Sequence, residues 1–171
     1  MNQNSQRVRI LGAAFSTRGF GYAVLEGDAL IDFGRKRIYG DKNKGALAGL
    51  KQVLERNQPD LLVLSDAHHA KGTERVPRIK TLQRAVMTLA KQRKIKAVKI
   101  AGTELRSALL GNAAGTKQEM AELLAKQFPD ELASLLPSKR KLWENEDPRM
   151  DIFDAVGLVV AVGMENKTPL N

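Results

Sequence analysis

The apolar run "LLVLS" at residues 61–65 constrains the fold more than any other segment of this chain. Its first four residues are all apolar, without the alternation of polar and apolar side chains that marks a strand with one wet face. A short, fully apolar run of this kind is typical of a central strand that is covered on both sides. We therefore predict a sheet that has helices packed on both of its faces.

Strands dominate the chain before this run, and helices alternate with strands after it. The earlier segments predict an antiparallel meander of three strands followed by one amphipathic helix. The predicted class is α/β, with a five-stranded mixed sheet (three antiparallel strands, then parallel ones) flanked by helices. Residues 1–6, 68–77 and 137–149 are predicted to be the least ordered. The predicted strands are 8–13, 21–26, 29–38, 61–65 and 95–102, and the main predicted helices are 44–56, 79–94, 103–111, 117–128 and 151–164.

The composition favours a polyanionic partner. Among 171 residues, Lys+Arg number 28 against Asp+Glu 19, a formal net charge of +9. Such an excess indicates nucleic acid, with a merely solubilising basic surface as the alternative. The absence of cysteine excludes disulfides, thiol catalysis and cysteine-ligated zinc. Because the chain shows no apolar leader and no apolar run of about 18 residues, we expect one cytoplasmic domain over 1–171, with short flexible ends and no membrane partner.

Three aspartates are the candidate metal ligands. Asp151 and Asp154 stand three residues apart at the start of the last predicted helix, so both carboxylates share one face. Asp66 directly follows the strand 61–65, at the kind of strand end where open α/β sheets bind ligands. Close carboxylates repel each other, and a hard cation such as Mg²⁺ relieves that repulsion. The alternatives are a helix cap and an ion pair for Asp151 and Asp154, and an ordinary loop start for Asp66.

Basic side chains near these acids are candidates for phosphate contacts, with a solvated charged surface as the alternative. Lys117 stands at a glycine-bearing turn that starts a helix, and Arg18 lies in the turn after the first strand, beside Ser16. Trp143 is predicted to belong to the core or to a lid, with stacking on a base as the alternative. The other candidate DNA-binding residues are Lys71, Arg75, Arg78, Lys80, Lys139, Arg140 and Lys141.

Four segments together resemble the RuvC family of Holliday-junction resolvases, in the ribonuclease H-like superfamily. They are "RILGAAFSTRGFGYAVLE", "QPDLLVLSDAHHAKG", "LLGNAAGTKQEMAELL" and "DIFDAVGLVVA", in the family's order across residues 8 to about 163. The resemblance implies a ribonuclease H-like fold and a phosphodiester hydrolysis that depends on Mg²⁺ or Mn²⁺. It also implies homodimers that bind four-way DNA junctions.

The chain departs from the family pattern at two acidic positions. The family's first-strand aspartate falls at Ala14, and its second acid falls at Ser65, one residue before Asp66. Asp151 and Asp154 match the family's closing pair, and Lys117 matches its basic residue beside the site. Because neighbouring strand residues face opposite sides, Asp66 replaces an acid at 65 only if the strand ends or bulges there.

Three hypotheses follow from this pattern. The first is a divergent endonuclease for branched DNA that uses Asp66, Asp151 and Asp154 with Lys117. The second is a catalytically inactive relative that binds DNA junctions and needs no metal. The third is a ribonuclease H-like module that binds protein or RNA. Convergence of the three carboxylates favours the first hypothesis, and an Asp66 that points away favours the second.

Overall fold

The computed structural model describes residues 7–66 and 75–167, without the side chains of residues 75, 76, 166 and 167. Within this part of the chain, five strands and six α-helices follow one another in the predicted order. None of these helices is long and apolar enough to cross a membrane. The strands are β1 Arg9–Phe15, β2 Gly19–Glu26, β3 Ala29–Arg37, β4 Leu61–Ser65 and β5 Lys96–Ile100; the helices are α1 Lys42–Asn57, α2 Arg75–Gln92, α3 Gly102–Leu110, α4 Lys117–Gln127, α5 Pro129–Leu132 and α6 Met150–Lys167.

The predicted mixed sheet is confirmed. Its strand order is β3-β2-β1-β4-β5. The strand pairs β1–β2 and β2–β3 are antiparallel, whereas β1–β4 and β4–β5 are parallel. All described strands belong to this one sheet, while the prediction that residues 1–171 form a single domain with flexible ends stays a prediction.

Two predicted boundaries are wrong in ways that matter for the site. β1 runs to Phe15, so Ala14 lies inside the strand and pairs with Gly21 instead of standing at an open tip. α2 begins at Arg75, four residues before its predicted start at 79, so residues 75–77 at the end of the predicted loop form its first turn. Residues 68–74 of that predicted loop lie outside the described residues. The segment 137–149 is irregular, with turns.

Helices cover both faces of the sheet, as the apolar run at 61–65 predicts. Leu62 and Leu64 pack with side chains of α1 and α2, whereas Val63 packs with side chains of α3, α4 and α6. Alternate residues of each strand therefore face different helical layers. β4 lies inside the sheet between β1 and β5, and its three middle residues are fully buried.

The backbone of α6 rests directly on β1 and β2. A Cβ added at Gly21 would lie 2.0 Å from the carbonyl oxygen of Asp151, and one added at Gly12 would lie 2.7 Å from that of Ala155. Both distances are too short for any side chain. The two glycines therefore allow the first turns of α6 to contact the sheet itself.

A β-bulge sets which way the outer part of β3 faces. Leu25 pairs with Leu30, but Val24 pairs with Asp32, so Ile31 is the extra residue of the hairpin. An extra residue reverses the faces of everything beyond it, because strand side chains alternate. As a result Arg35 pairs with Gly21, on the α6 face.

Candidate active site

A row of residues crosses the sheet beneath the first turn of α6. Ala14 pairs with Gly21, and Gly21 pairs with Arg35 on the edge strand β3. On the other side, Ser65 takes the next position along this row at the end of β4. The row contains an arginine at one end and a serine toward the other, and it contains no carboxylate. The two acids that the family resemblance implies at positions 14 and 65 would lie on this row.

Asp151 lies above the row and is bound from the sheet. Its Oδ2 accepts a hydrogen bond of 2.8 Å from the Ser16 hydroxyl and one of 3.3 Å from Arg35 Nε. Ser16 reaches it because residues 14 and 16 face the same side of the strand. Burial raises the pKa of Asp151, and the contacts with Ser16 and Arg35 oppose that rise.

Asp154 is bound from the other side by Lys117. Lys117 Nζ lies 3.2 Å from Asp154 Oδ2 and 3.0 Å from Glu146 Oε1. Lys117 is the first residue of α4, and a reciprocal capping box between Thr116 and Glu119 holds that end of the helix. One lysine therefore bridges an aspartate of α6 and a glutamate of the segment before it.

Burial has the largest effect on the pKa values of Asp154 and Lys117. It raises the pKa of Asp154 to about 6; the Lys117 ammonium opposes the rise, and the charges of Glu146 and Asp151 add to it. Burial lowers the pKa of Lys117, but the charges of Asp154 and Glu146 outweigh it, so the net shift is upward. Near neutral pH the Asp154 carboxyl group is therefore mostly ionised, although its ionised form is less favourable in the folded protein than in water.

Asp66 faces the opposite side of the sheet from this pair. Its backbone N–H still bonds the carbonyl of Ile100, 2.7 Å away, so the pairing with β5 continues past the end of β4. Asp66 thus faces the same side as Leu64, toward α2. It lines a cavity of about 80 Å³ together with Lys80, Gln83, Arg84 and Lys99.

The predicted convergence of Asp66, Asp151 and Asp154 is therefore not found. Alternation along the strand separates Asp66 from the other two, because no bulge turns it around. Within residues 7–66 and 75–167, no three histidine, aspartate or glutamate side chains are grouped to hold a metal ion. With Ala14 and Ser65 on the row and cations already on both aspartates, the residues present do not fit a two-metal centre.

The basic candidates fall into an exposed set and a structural set. Arg18 is exposed at the β1–β2 turn. Trp143 is 80% exposed, so it does not belong to the core, whereas a lid position and stacking on a base stay predictions. The segment that carries it also exposes Lys139, Arg140 and Lys141.

Arg78 has a structural role in the described contacts. It donates to the carbonyl of Ser16 at 3.1 Å and to Asn43 Oδ1 at 3.0 Å, which ties α2 to the first hairpin. Lys80 lines the cavity beside Asp66 on the other face. Lys71 lies outside the described residues, and so does the side chain of Arg75.

Sequence reasoning missed two residues of the site, Arg35 and Glu146. Arg35 belongs to a basic run that reads as ordinary surface, and its direction depends on the bulge at Ile31. Glu146 lies in an irregular segment whose path no periodic pattern predicts. Ser16, which lies in the same turn as Arg18, donates its hydroxyl hydrogen bond to Asp151.

No protein-family model matches this chain, and neither does any curated protein sequence. Solved structures do resemble it. Thermus thermophilus RuvC superposes with a TM-score of 0.64 at 14% identity, covering 93% of this chain and 96% of that one. The same resolvase in complex with a Holliday junction substrate gives the same TM-score.

Two further resolvases share the architecture. The yeast mitochondrial Holliday junction resolvase Ydc2 has a TM-score of 0.61 at 12% identity and covers 94% of this chain and 82% of its own. The Fowlpox virus resolvase, solved with substrate Holliday junction DNA, has a TM-score of 0.57 at 12% identity, with coverages of 94% and 100%. The sheet order, the helices on both faces and these superpositions agree, and the chain has the ribonuclease H-like fold of the RuvC-type Holliday-junction resolvases.

Proposed function

We propose that this protein binds branched DNA, with the four-way junction as its preferred form, and does so without metal-dependent hydrolysis. The observation that carries the proposal is the pairing of both site aspartates with protein cations. Asp151 is held by Arg35, and Asp154 is held by Lys117. The strand positions beneath them carry Ala14 and Ser65, where the family resemblance implies acids.

The charge distribution supports a DNA-binding role. The whole chain has a formal net charge of +9, and exposed basic residues lie in the β1–β2 turn, whose Ser16 binds Asp151, and at 139–141, in the loop whose Glu146 binds Lys117. Phosphate contacts of this kind supply affinity that does not depend on sequence. Two of the similar structures were solved with Holliday junction DNA, which supports a junction as the form to test first. Homodimers and a cytoplasmic location stay predictions.

The charges around α6 support a site that works without a metal. Asp151, Asp154 and Glu146 are balanced in part by Arg35 and Lys117. Opposite charges within about 4 Å of a carboxylate favour its ionised form, which is the effect that a bound cation would have. The five side chains thus form a nearly neutral cluster made entirely from this chain.

A divergent divalent-metal-dependent endonuclease is the second candidate. One observation favours it: Asp151, Asp154 and Lys117 lie together, and the largely buried Asp154 side chain keeps 22% of its surface in contact with solvent. Such an enzyme would use Mg²⁺ or Mn²⁺ with fewer acids than the family pattern implies. Asp66 would have no part in it, because Asp66 faces α2.

A binding and cleavage assay separates the two candidates. A labelled four-way junction, the matched duplex and an RNA duplex are titrated with the protein in EDTA, Mg²⁺ and Mn²⁺. The proposal expects tight junction binding in EDTA and no nicking in either metal. Nicking that Asp154→Asn abolishes would establish the endonuclease instead. Preference for RNA, or no binding to any nucleic acid at low salt, would contradict both.

Restoring the two missing acids tests the cause of the lost site. The double variant Ala14→Asp, Ser65→Glu places two carboxylates on the row beneath α6, and we expect it to bind Mg²⁺. The readout is a rise in melting temperature with Mg²⁺ that wild type does not show. Adding Asp151→Asn to the double variant is the matched control and should remove the Mg²⁺ response. A wild-type protein that already responds to Mg²⁺ as strongly would refute the assignment.

A further inference from the structure

The segment 137–149 forms a loop that is anchored beside the site at both ends. Near its start, the Pro137 carbonyl accepts a hydrogen bond of 3.2 Å from Gln118 of α4. Near its end, Glu146 accepts one of 3.0 Å from Lys117, which also holds Asp154. The loop between these anchors therefore projects from the edge of the candidate active site.

A tight turn at the tip of this loop presents two large apolar side chains to solvent. Glu144 N–H bonds the Lys141 carbonyl at 3.0 Å, and Glu144 Oε2 accepts from Lys141 N–H at 3.0 Å. The two residues inside this turn are Leu142, which is 100% exposed, and Trp143, which is 80% exposed. Both of these hydrogen bonds are made by the backbone of the turn and by the Glu144 side chain.

The exposed tryptophan stands among cations. Lys141 Nζ lies 5.5 Å from the centre of the Trp143 ring, a cation–π arrangement. Lys139 and Arg140 are exposed immediately before it. The tip thus combines one aromatic face with three positive charges within five residues.

We propose that Trp143 is a stacking platform for an unpaired nucleobase of branched DNA, with Lys139, Arg140 and Lys141 on the flanking phosphates. This inference rests on the proposed DNA-binding function and names the feature of the DNA that the loop reads. An aromatic ring beside cations suits a base that has left its stack, because every base offers a π-face and every linkage a negative charge. The strongly basic chain favours this partner over an apolar protein surface, which would not call for three cations at the same tip.

The loop's position explains why this contact would favour junctions over plain duplex. A perfectly paired duplex keeps its bases stacked inside, so Trp143 would find no base to contact. At the crossover of a branched DNA the strands exchange partners and the continuous base stack is interrupted, so a base there can leave its stack. The hydrogen bonds to Gln118 and Lys117 hold both ends of the loop at the start of α4, where Lys117 also binds Asp154, so a base captured at the tip would be held by the same loop that borders the candidate active site.

The chain contains a single tryptophan, so its fluorescence reports on this site alone. We would titrate the full-length protein with a four-way junction, a single strand and a fully matched duplex. Stacking predicts strong quenching by the first two and weak quenching by the duplex. In a parallel anisotropy assay, Trp143→Ala should weaken binding to junction and single strand by roughly 5- to 150-fold, with a much smaller effect on duplex.

Two controls make the result decisive. Trp143→Phe keeps an aromatic face and should retain most of the affinity, whereas Val8→Ala trims an exposed apolar residue before β1 and should change nothing. Equal affinity of wild type and Trp143→Ala for all three DNAs would refute the stacking role and leave junction binding intact. If wild type binds none of the DNAs, the proposed function fails as well. Quenching by anionic vesicles but not by DNA would identify a membrane-surface contact instead.

Discussion

Asparagine at position 154 should stabilise the protein, and the gain should grow with pH. The pKa of Asp154 is raised to about 6 from its ordinary value of 3.8, chiefly because the carboxyl group is buried. The folded state therefore binds this proton more tightly than the unfolded state does. It follows that the contribution of Asp154 to stability is most favourable below pH 4, falls between pH 4 and pH 6, and stays low above pH 6.

The size of the effect follows from the two pKa values. A pKa difference of one corresponds to about 1.4 kcal/mol, so the rise from 3.8 to about 6 corresponds to ~3 kcal/mol. This is an upper bound, because the Asp154 side chain keeps 22% of its surface in water. For a protein of this size, ~3 kcal/mol is equivalent to a melting-temperature change of about 6–12 °C.

The assay is thermal or urea unfolding of wild type and Asp154→Asn from pH 4 to pH 8, with EDTA present. We expect little difference at pH 4 and a more stable variant at pH 7 and above. Glu165→Gln, an exposed position near the end of α6, makes the same change in net charge and should show no such trend. A variant that is less stable than wild type at pH 7, or equally stabilised at every pH, would refute the reasoning.

Adding Mg²⁺ to the same experiment connects it to function. If Asp154 binds a cation in the folded protein, Mg²⁺ will stabilise wild type at pH 7 and reduce the advantage of Asp154→Asn. If Lys117 and Arg35 are the only cations of the pair, Mg²⁺ will leave the difference unchanged. The proposed function expects the second result.

Two other changes test the packing and the basic surface. Gly21→Ala should lower the free energy of unfolding in urea by about 1–3 kcal/mol or more, since its Cβ would lie 2.0 Å from the Asp151 carbonyl oxygen. Gly102→Ala, whose Cβ would meet only the flexible Arg106 side chain, should be nearly neutral, and equal costs for the two variants would contradict the close packing of α6. The double variant Lys139→Gln, Lys141→Gln should weaken binding to junction and duplex alike and lower the slope of log affinity against log salt by about 2. The control double variant Lys51→Gln, Lys126→Gln should leave that slope unchanged. An unchanged slope for the first variant would show that this loop is not part of the DNA interface.

Much of the architecture can be predicted from local patterns. The apolar run at 61–65 indicates a strand that needs cover on both faces, and β4 lies inside the sheet with helices on either face. The last helix is apolar on nearly all sides, and α6 packs directly on β1 and β2. These predictions hold because burial of apolar surface dominates folding, and the spacing of apolar residues along the sequence is a local pattern.

The chemistry of the site depends on contacts between distant segments. Which way Arg35 points is decided by one extra residue, Ile31, in the β2–β3 hairpin. Without that bulge, strand alternation would turn Arg35 toward α1, and Asp151 would lose its arginine. No periodic pattern in the sequence predicts a single extra residue of this kind.

Asp66 and Glu146 are two further residues whose surroundings could not be predicted from local sequence. Asp66 stands one residue from an expected ligand position, but continued pairing with β5 turns it to the opposite face. Glu146 is 29 residues from Lys117 and meets it only because the segment before α6 folds back over α4. The local sequence thus decides which elements form and which residues are apolar enough to be buried. Register and loop path decide which charges meet, because electrostatic contacts act through space between residues that are far apart in the chain.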